Sequence, residues 1–188
     1  MKKIVLGSKN KDKLREIQAL MKGAGVQALS LADFKDCPDV AETGKTFEAN
    51  ARLKARDYSK HTHLLTLADD SGLRVDALNG KPGVYSARFA GSGCTYHDNN
   101  QKLLALLKGK RRRAKFVCVM SLYDNGRCVN TVRGECKGSV AFSQRGKHGF
   151  GYDPIFIPRG FTKTFAELGP AVKNKISHRG KALRKVKK

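Results

Sequence analysis

Short apolar runs of strand length alternate along this chain with segments of helical periodicity. Residues 3–6, 26–31 and 116–123 are strand-like, whereas residues 12–21 and 99–107 repeat their apolar side chains with the period of a helix. Such mixing favours an α/β or mixed α+β fold with a sheet at its centre. The 188 residues suffice for one domain or two closely joined lobes, and no internal repeat or low-complexity linker divides them.

The rest of the chain fits the same outline. Further strands are expected over residues 63–68, 128–140 and 153–158, and further helices over residues 46–59 and from about residue 174 onward. Thr46 is the expected N-cap of its helix, because its hydroxyl can accept a hydrogen bond from a first-turn N–H group. The basic C-terminal end, residues 181–188, is a candidate for fraying.

The chain lacks the marks of a membrane or secreted protein. No stretch approaches the 18 or so apolar residues of a transmembrane helix. The first apolar run breaks at Gly7, which is too early for a signal peptide. We therefore expect a cytoplasmic protein without membrane contact.

Positive charge dominates the composition. The chain has 38 Lys and Arg side chains against 16 Asp and Glu, for a formal net charge of +22. A field of this sign attracts polyanions, and both nucleic acids and nucleotide phosphates qualify. Charge alone does not separate these two ligand classes.

The first candidate site follows the first strand and opens the first helix. A helix N-terminus favours an anion, and hydroxyl, amide and ammonium groups here add donors for phosphate oxygens. Asp12 is expected in the first turn or at the cap, where it suits the helix dipole. The segment is not a Walker A loop, because its spacing differs, and it could also be a polar turn with a solvated lysine face. Its residues are Ser8, Lys9, Asn10, Lys11, Asp12 and Lys13.

The second candidate is the aspartate pair at the end of an apolar strand. Asp69 and Asp70 are adjacent, so their side chains point to opposite faces of a strand and only one is expected to face a given site. A carboxylate in a cleft can hold Mg²⁺ and orient water, and Glu42 could supply a second one. The alternative is a capping turn made by Asp and Ser71.

The third candidate is the glycine-rich loop from His148 to Pro154. Glycines beside Phe150 and Tyr152 allow a ligand to approach closely, and an aromatic face there could stack on a base. The alternative is that both rings only close the edge of a core.

The fourth candidate is the segment from Lys173 to Arg179, expected at the start of the last helix. Its cations suit phosphate, and the pair His178–Arg179 can donate hydrogen bonds to a carbonyl acceptor. The alternative is a basic, solvated helix face.

Together these segments form six ordered blocks over nearly the whole chain, from about residue 3 to residue 184. With them the chain resembles the Ham1/RdgB family of inosine/xanthosine triphosphate pyrophosphatases. The blocks are Ser8-x-Asn10-x-x-Lys13, Glu42-Thr43-Gly44-x-Thr46-Phe47, Asp69-Asp70-Ser71-Gly72-Leu73-x-Val75-Asp76-Ala77-Leu78, Pro82-Gly83-Val84-Tyr85-Ser86-Ala87-Arg88-Phe89, Gly149-Phe150-Gly151-Tyr152-Asp153-Pro154-Ile155-Phe156 and Ile176-Ser177-His178-Arg179.

The resemblance implies a fold and an activity. The fold would be a long central mixed sheet with flanking helices, residues 1–188 forming one ITPase-like domain of two lobes around a deep cleft. The protein would be a homodimeric hydrolase of nucleotide metabolism that acts on acid anhydrides. It would use Mg²⁺ to convert deaminated purine nucleoside triphosphates (ITP, dITP and XTP) to the monophosphate and pyrophosphate, which cleanses the nucleotide pool.

The resemblance also implies roles for individual residues. Asp70 would be the general base and, with Glu42, the metal ligand. The triphosphate would be bound by the loop from Ser8 to Lys13, with Lys173 also on phosphate and Ser71 lining the same site. The base would be bound by Phe150, Gly151, Tyr152 and Asp153, with His178 and Arg179 reading its 6-keto edge.

Two departures keep alternatives open. The family often has a glutamate directly before Asn50, where this chain has Ala49 and the glutamate is Glu48. The charge of +22 is also more than the family usually has, so a nucleic-acid-binding protein on the same fold is an alternative. A third possibility is the same chemistry on another nucleotide, such as dUTP or a modified pyrimidine.

Overall fold

The computed structural model describes residues 2–186 and contains six strands and five α-helices within that range. The strands are β1 Lys2–Leu6, β2 Val26–Ser30, β3 Thr66–Val75, β4 Arg113–Asp124, β5 Arg127–Val140 and β6 Phe156–Pro158. The α-helices are α1 Lys11–Met21, α2 Phe47–Thr62, α3 Tyr96–Leu106, α4 Phe165–Ile176 and α5 His178–Val186.

All six strands belong to one mixed sheet in the order β2-β1-β3-β4-β5-β6. Strand β1 pairs in parallel with β2 and β3, whereas β5 and β6 pair antiparallel. The predicted α/β class with a central mixed sheet and helices around it is therefore confirmed. In residues 2–186, no helix is both long and apolar enough to cross a bilayer.

The chain divides into two compact units. The first unit comprises residues 1–70, 118–134 and 179–188, and the second comprises residues 71–117 and 135–178. Strands β3, β4 and β5 each contribute residues to both units.

The first unit has its main core around the end of β1. The apolar side chains of α1 repeat at helical spacing, so Ile17 and Met21 are buried against Leu6 and Leu67. Asn10 caps this helix. Thr46 caps α2 through a hydrogen bond from the Ala49 N–H, which confirms the predicted N-cap.

The second unit is built around three phenylalanines. Phe116 of β4 contacts Phe156 of β6 and Phe165 of α4, with ring centroids 4.6 and 6.1 Å apart. The β5–β6 pair places Gly138 opposite Pro158. A Cβ at Gly138 would lie 2.2 Å from the backbone oxygen of Ile157, so this close pairing requires glycine.

Two local predictions were wrong. The strand predicted over residues 63–68 was expected to end at the aspartates, but β3 runs from Thr66 through Asp69 and Asp70 to Val75, which excludes the alternative of a capping turn there. The last helix does not begin near residue 174: α4 ends at Ile176, Ser177 is extended, and α5 begins at His178. Lys173 therefore lies in the last turn of α4. Of the basic end, residues 181–186 belong to α5, and residues 187 and 188 lie outside the described range.

Candidate active site

The loop before α1 is fixed by its own side chains. The Asn10 side-chain oxygen accepts hydrogen bonds from the N–H groups of Asp12 and Lys13, both at 3.0 Å. The Asn10 N–H donates to the Ser8 hydroxyl at 3.2 Å. Because Asn10 already uses two first-turn N–H groups, an anion here would depend more on side-chain donors than on the bare helix end.

The lysines of this loop have different surroundings. Lys9 is exposed and forms an ion pair of 2.5 Å with Asp39, and Lys11 is exposed. The Lys13 ammonium lies 3.4 Å from the Asp69 carboxylate. Ser8, Lys9 and Lys11 line a cavity of about 370 Å³ in the first unit, whose apolar wall is formed by Leu14, Leu31 and Phe34.

The two aspartates of β3 have different partners, as strand alternation predicts. Asp69 is buried, and its carboxylate contacts Lys13 and the Arg179 guanidinium, the latter at 3.6 Å. Asp70 is also buried, and its carboxylate accepts a hydrogen bond of 3.0 Å from the Asn50 side-chain amide. Asp69 is thus held by cations, while Asp70 is oriented by a neutral donor.

A buried lysine joins Asp70 to the second predicted carboxylate. Lys54 is 6% exposed, and its ammonium lies 2.9 Å from Glu42. Burial lowers the pKa of Lys54, but the negative charges of Asp69, Asp70 and Glu42 outweigh it and hold the pKa above the ordinary value. Lys54 is therefore a permanent cation among three acids.

The surroundings of Asp70 favour the neutral form of its carboxyl group, so its pKa is raised. Burial raises the pKa of Asp70, and the charge of Glu42 raises it further. Lys54, Lys13 and the hydrogen bond from Asn50 oppose this shift without cancelling it. A buried carboxylate with a raised pKa is a suitable proton acceptor near neutral pH.

Sequence reasoning missed the roles of Asn50 and Lys54. Asn50 also accepts the Gly44 N–H at 2.8 Å, so it ties the loop after Glu42 to Asp70. The two residues are four apart on α2, which places them on one helix face, and both are buried. The signal available in the sequence was that Asn50 and Lys54 fall on the same face of the predicted helix as the apolar residues Phe47 and Ala51.

The glutamate of α2 does not join this cluster. Glu48 has a side chain that is 56% exposed and pairs with Arg52 at 3.0 Å. With Ala49 in the place where the family often has glutamate, the described carboxylates near Asp70 are Asp69 and Glu42.

Arg179 belongs to the first unit and is 1% exposed. Its guanidinium forms ion pairs with Glu16 of α1 and with Asp69. Burial lowers the pKa of Arg179, but these two acids outweigh it and raise the pKa. Arg179 thereby fixes α1 and Asp69 to the start of α5, and Glu16 is a further residue that sequence reasoning missed.

In the second unit, the glycine-rich loop is closed by Asp153. The Asp153 carboxylate accepts the Phe150 N–H at 2.9 Å. Gly149 has φ of 79°, and a Cβ there would lie 2.1 Å from an Asp153 oxygen. The turn therefore requires glycine for both its dihedral angle and its space.

Lys173 holds the same loop from α4. Its ammonium lies 2.5 Å from the Asp153 carboxylate, and both side chains are buried. The ammonium also lies over the Phe150 ring, 4.7 Å from the centroid. The predicted residues Phe150, Asp153 and Lys173 are thus brought together, and Lys173 orders the loop.

The other predicted residues of this unit are more enclosed. Tyr152 is buried and donates to the Ser86 carbonyl at 2.9 Å, and burial raises its pKa. The Gly151 carbonyl accepts the Asn100 amide at 3.0 Å. His178 is buried and stacked on Phe116 with centroids 4.6 Å apart, while Ser71 is half-buried.

The sequence profile of the Ham1 family matches residues 4–188. The chain belongs to the Ham1 family. Its relatives carry the name dITP/XTP pyrophosphatase: that of Geobacillus kaustophilus is 49% identical over 189 residues, covering 99% of this chain and 93% of the relative. That of Oceanobacillus iheyensis is 44% identical over 192 residues, covering 100% and 98%.

Solved Ham1 structures share the fold. A Ham1 protein from Coxiella burnetii has a TM-score of 0.89 at 43% identity, covering 100% of this chain and 97% of its own. A nucleoside-triphosphatase, named dITP/XTP pyrophosphatase, from Mycobacterium abscessus has a TM-score of 0.78 at 46% identity, covering 98% and 97%. The resemblance read from the six sequence blocks is confirmed as membership of the Ham1 family.

Proposed function

We propose that this Ham1 protein hydrolyses deaminated purine nucleoside triphosphates (ITP, dITP and XTP) to the monophosphate and pyrophosphate. The observation that carries the proposal is the Asp70 cluster: a buried carboxylate with a raised pKa, oriented by Asn50 and flanked by Lys54 and Glu42. Full-length relatives named dITP/XTP pyrophosphatase support the choice of substrate.

In this proposal Asp70 is the general base. It accepts a proton from the water that attacks phosphorus, and Asn50 keeps the accepting carboxylate in one orientation through its 3.0 Å hydrogen bond. Lys54 reduces the repulsion among Asp69, Asp70 and Glu42 and so favours the charged form of Asp70 that accepts the proton.

The triphosphate is assigned to the loop from Ser8 to Lys13 and to Lys173. Hydroxyl, amide and ammonium groups neutralise and orient phosphate oxygens as charge develops on them. Lys13 is pre-positioned by Asp69, and the 370 Å³ cavity beside Ser8, Lys9 and Lys11 has the size of a small ligand pocket. Asp12 completes this segment in the first turn of α1.

We assign Mg²⁺ to Glu42 and Asp70. Among residues 2–186, no three Asp, Glu, His or Cys side chains converge as a ready-made metal cage. A pair of carboxylates nevertheless fits Mg²⁺, which is held in phosphate sites by one or two carboxylates together with water and substrate phosphates. When bound, the ion would neutralise the triphosphate and lower the pKa of a coordinated water. Binding of the ion to Glu42 would displace the Lys54 ammonium, which forms an ion pair with that carboxylate.

The base is assigned to Phe150, Gly151, Tyr152 and Asp153, with Ser71 lining the site. The Asp153–Lys173 ion pair keeps the loop ordered, so little conformational entropy is lost when a base stacks on Phe150. His178 and Arg179 would donate to a 6-keto group, and a 6-amino purine would leave those donors unpaired, which discriminates strongly. We further propose that the protein acts as a homodimer in the cytoplasm.

The decisive experiment is pyrophosphate release from ITP, XTP, GTP and ATP with Mg²⁺, for the unaltered protein and Asp70→Asn. We expect rapid turnover of ITP and XTP, little of ATP, and a loss of roughly 10²–10⁴-fold in the variant, the usual range for a general base. Equal rates on all four nucleotides, or an unaffected variant, would rule the proposal out. The nucleic-acid-binding alternative requires duplex binding that survives about 200 mM salt.

A further inference from the structure

The second unit contains a cavity that shares no residue with the candidate active site. Its volume is about 800 Å³. Five cations and one carboxylate line it: Arg112, Arg113, Lys115, Lys137, Arg159 and Asp76. We call this cavity the cationic pocket.

Strand alternation explains why these cations meet on one face. On β4, Arg113 and Lys115 alternate with the buried residues Ala114 and Phe116, so both cations point away from the core. On β5, Lys137 likewise follows the buried Cys136. Arg113, Lys115 and Lys137 are therefore on the face of the sheet opposite the apolar core.

The end of β6 brings the last cation to the same place. Ser139 pairs with Ile157, and the Arg159 N–H donates to the Lys137 carbonyl at 2.9 Å. Arg159 is exposed beside Lys137. Strands β4 and β5 and the residue that follows β6 thus contribute cations to one cavity, on backbone that is fixed by hydrogen bonds.

Among the described residues, Lys115 is the one cation of this pocket for which an ion pair is found. Lys115 is paired with Glu135 at 3.1 Å. Arg112 donates to the carbonyls of Ala141 and Leu107, at 2.7 and 3.4 Å, and lies 4.2 Å from the Phe142 ring centroid, so these neutral groups hold its guanidinium in place.

The remaining cations contrast with those of the candidate active site. Within the described residues, no carboxylate forms an ion pair with Arg113, Lys137 or Arg159, whereas Lys13, Lys54 and Lys173 each have one. Holding five cations beside the single carboxylate of Asp76 leaves an excess of like charge that disfavours the folded state, and a bound anion reduces that cost.

We infer that the cationic pocket binds a small ligand with two or more phosphate groups. The volume lies within the range of roughly 300–1,000 Å³ for small-molecule sites. Arginines provide planar forks that match phosphate oxygens. The shared chemistry is an oligophosphate, which is either free or the phosphate chain of a nucleotide whose base contacts Phe161, a ring that is 39% exposed at the rim.

The test is titration of the full-length ¹⁵N-labelled protein with inorganic pyrophosphate in the presence of a chelator. Three proteins are compared: unaltered, the pocket variant Arg113→Ala/Lys137→Ala/Arg159→Ala, and a matched variant that loses the same charge elsewhere. The matched variant is Lys22→Ala/Lys35→Ala/Arg127→Ala, all exposed residues.

In the unaltered and matched proteins, pyrophosphate should shift the amide signals of Gly138 and Gly160. In the pocket variant the same shifts should require about tenfold or more pyrophosphate, so that the affinity measured at this site falls by that factor, while ITP turnover stays unchanged. Equal affinity in the pocket and matched variants overturns the inference. Unchanged ITP turnover separates this result from the proposed active site.

Further titrations distinguish the sources of phosphate. ADP that binds more tightly than pyrophosphate, and loses this advantage in Phe161→Ala, identifies a nucleotide. Equal affinities that Phe161→Ala does not change identify free oligophosphate. A single-stranded RNA of roughly 12 nucleotides that binds more tightly than either, with amide shifts extending over residues 108–111, would overturn the small-ligand inference.

Discussion

Asp70 in the first unit and Asp153 in the second are both buried carboxylates with a buried lysine nearby. The charged form of Asp153 is stabilised directly: the Lys173 ammonium lies 2.5 Å away and the Phe150 N–H donates a hydrogen bond at 2.9 Å. Asp70 shares the charge of Lys54 with two other acids, and its pKa is raised by burial. The same pair of residue types therefore forms a structural anchor in one unit and a candidate proton acceptor in the other.

The comparison teaches that burial of a carboxylate does not by itself indicate chemistry. What distinguishes the two is that Lys173 lies directly against Asp153, whereas the charge of Lys54 is shared by Asp69, Asp70 and Glu42. A direct, hydrogen-bonded ion pair stabilises the charged form and orders its loop, whereas a cation shared among several acids leaves part of the desolvation cost in place. A carboxylate of the second kind can change its protonation state during a reaction.

We expect the largest loss in the free energy of unfolding when the ion pair of the second unit is broken. Asp153→Asn leaves the Lys173 ammonium buried without its counter-charge, and such changes cost roughly 3–5 kcal/mol. Asp70→Asn removes a charge that its surroundings disfavour, so the free energy of unfolding should stay level or rise in a chelator-containing buffer. Urea unfolding of both variants measures the difference.

The control for that comparison is Asp153→Asn combined with Lys173→Met. Removing the buried cation together with its partner should recover much of the lost stability, because no unpaired charge remains. Equal destabilisation by Asp70→Asn and Asp153→Asn would contradict the distinction between a directly paired carboxylate and one that shares its cation.

A smaller effect tests the loop that Asp153 closes. Gly149→Ala imposes a side chain at φ of 79° and directs its Cβ towards the Asp153 carboxylate. We expect a loss of about 1–3 kcal/mol, from strain and from a weakened bond to the Phe150 N–H. Gly151→Ala is the matched control, since among the described residues no atom beyond its two chain neighbours lies within 4 Å of its Cβ position, although its φ is also positive, at 60°. Equal losses would place the whole cost in the dihedral angle.

The sequence predicted much of the first unit because the deciding signals there are local. Thr46 stands directly before its helix, and adjacent strand positions necessarily direct Asp69 and Asp70 to different partners. The fold class followed equally from alternating strand and helix patterns. The family resemblance then selected Asp70 over Asp69, a choice that strand alternation alone left open.

The rest was not readable for physical reasons. Helix α4 was missed because it contains Gly169-Pro170, and Gly169 indeed departs from helical geometry with φ of 75°. The ion pair between Arg179 and Glu16 joins residues 163 positions apart, and that between Lys173 and Asp153 joins residues 20 apart. No periodicity encodes such contacts, since they arise only when the helices pack.

The smallest expected effect concerns Glu167 at the start of α4. Its contribution to stability changes with pH in the direction opposite to that of Asp70. Hydrogen bonds from Thr164 lower the pKa of Glu167 below its ordinary 4.5, so its charged form stabilises the fold. That contribution is present above the unfolded-state pKa and is lost as the pH falls through the folded one. For Asp70 the folded pKa is raised, so its protonated form is favoured and stability is lost as the pH rises through that pKa.

Thermal unfolding from pH 3 to 7 should therefore show that Glu167→Gln becomes less stable relative to the unaltered protein as the pH rises, and that Asp70→Asn becomes more stable relative to it. If the curves of both variants run parallel to the curve of the unaltered protein, neither carboxyl has a shifted pKa in the folded protein.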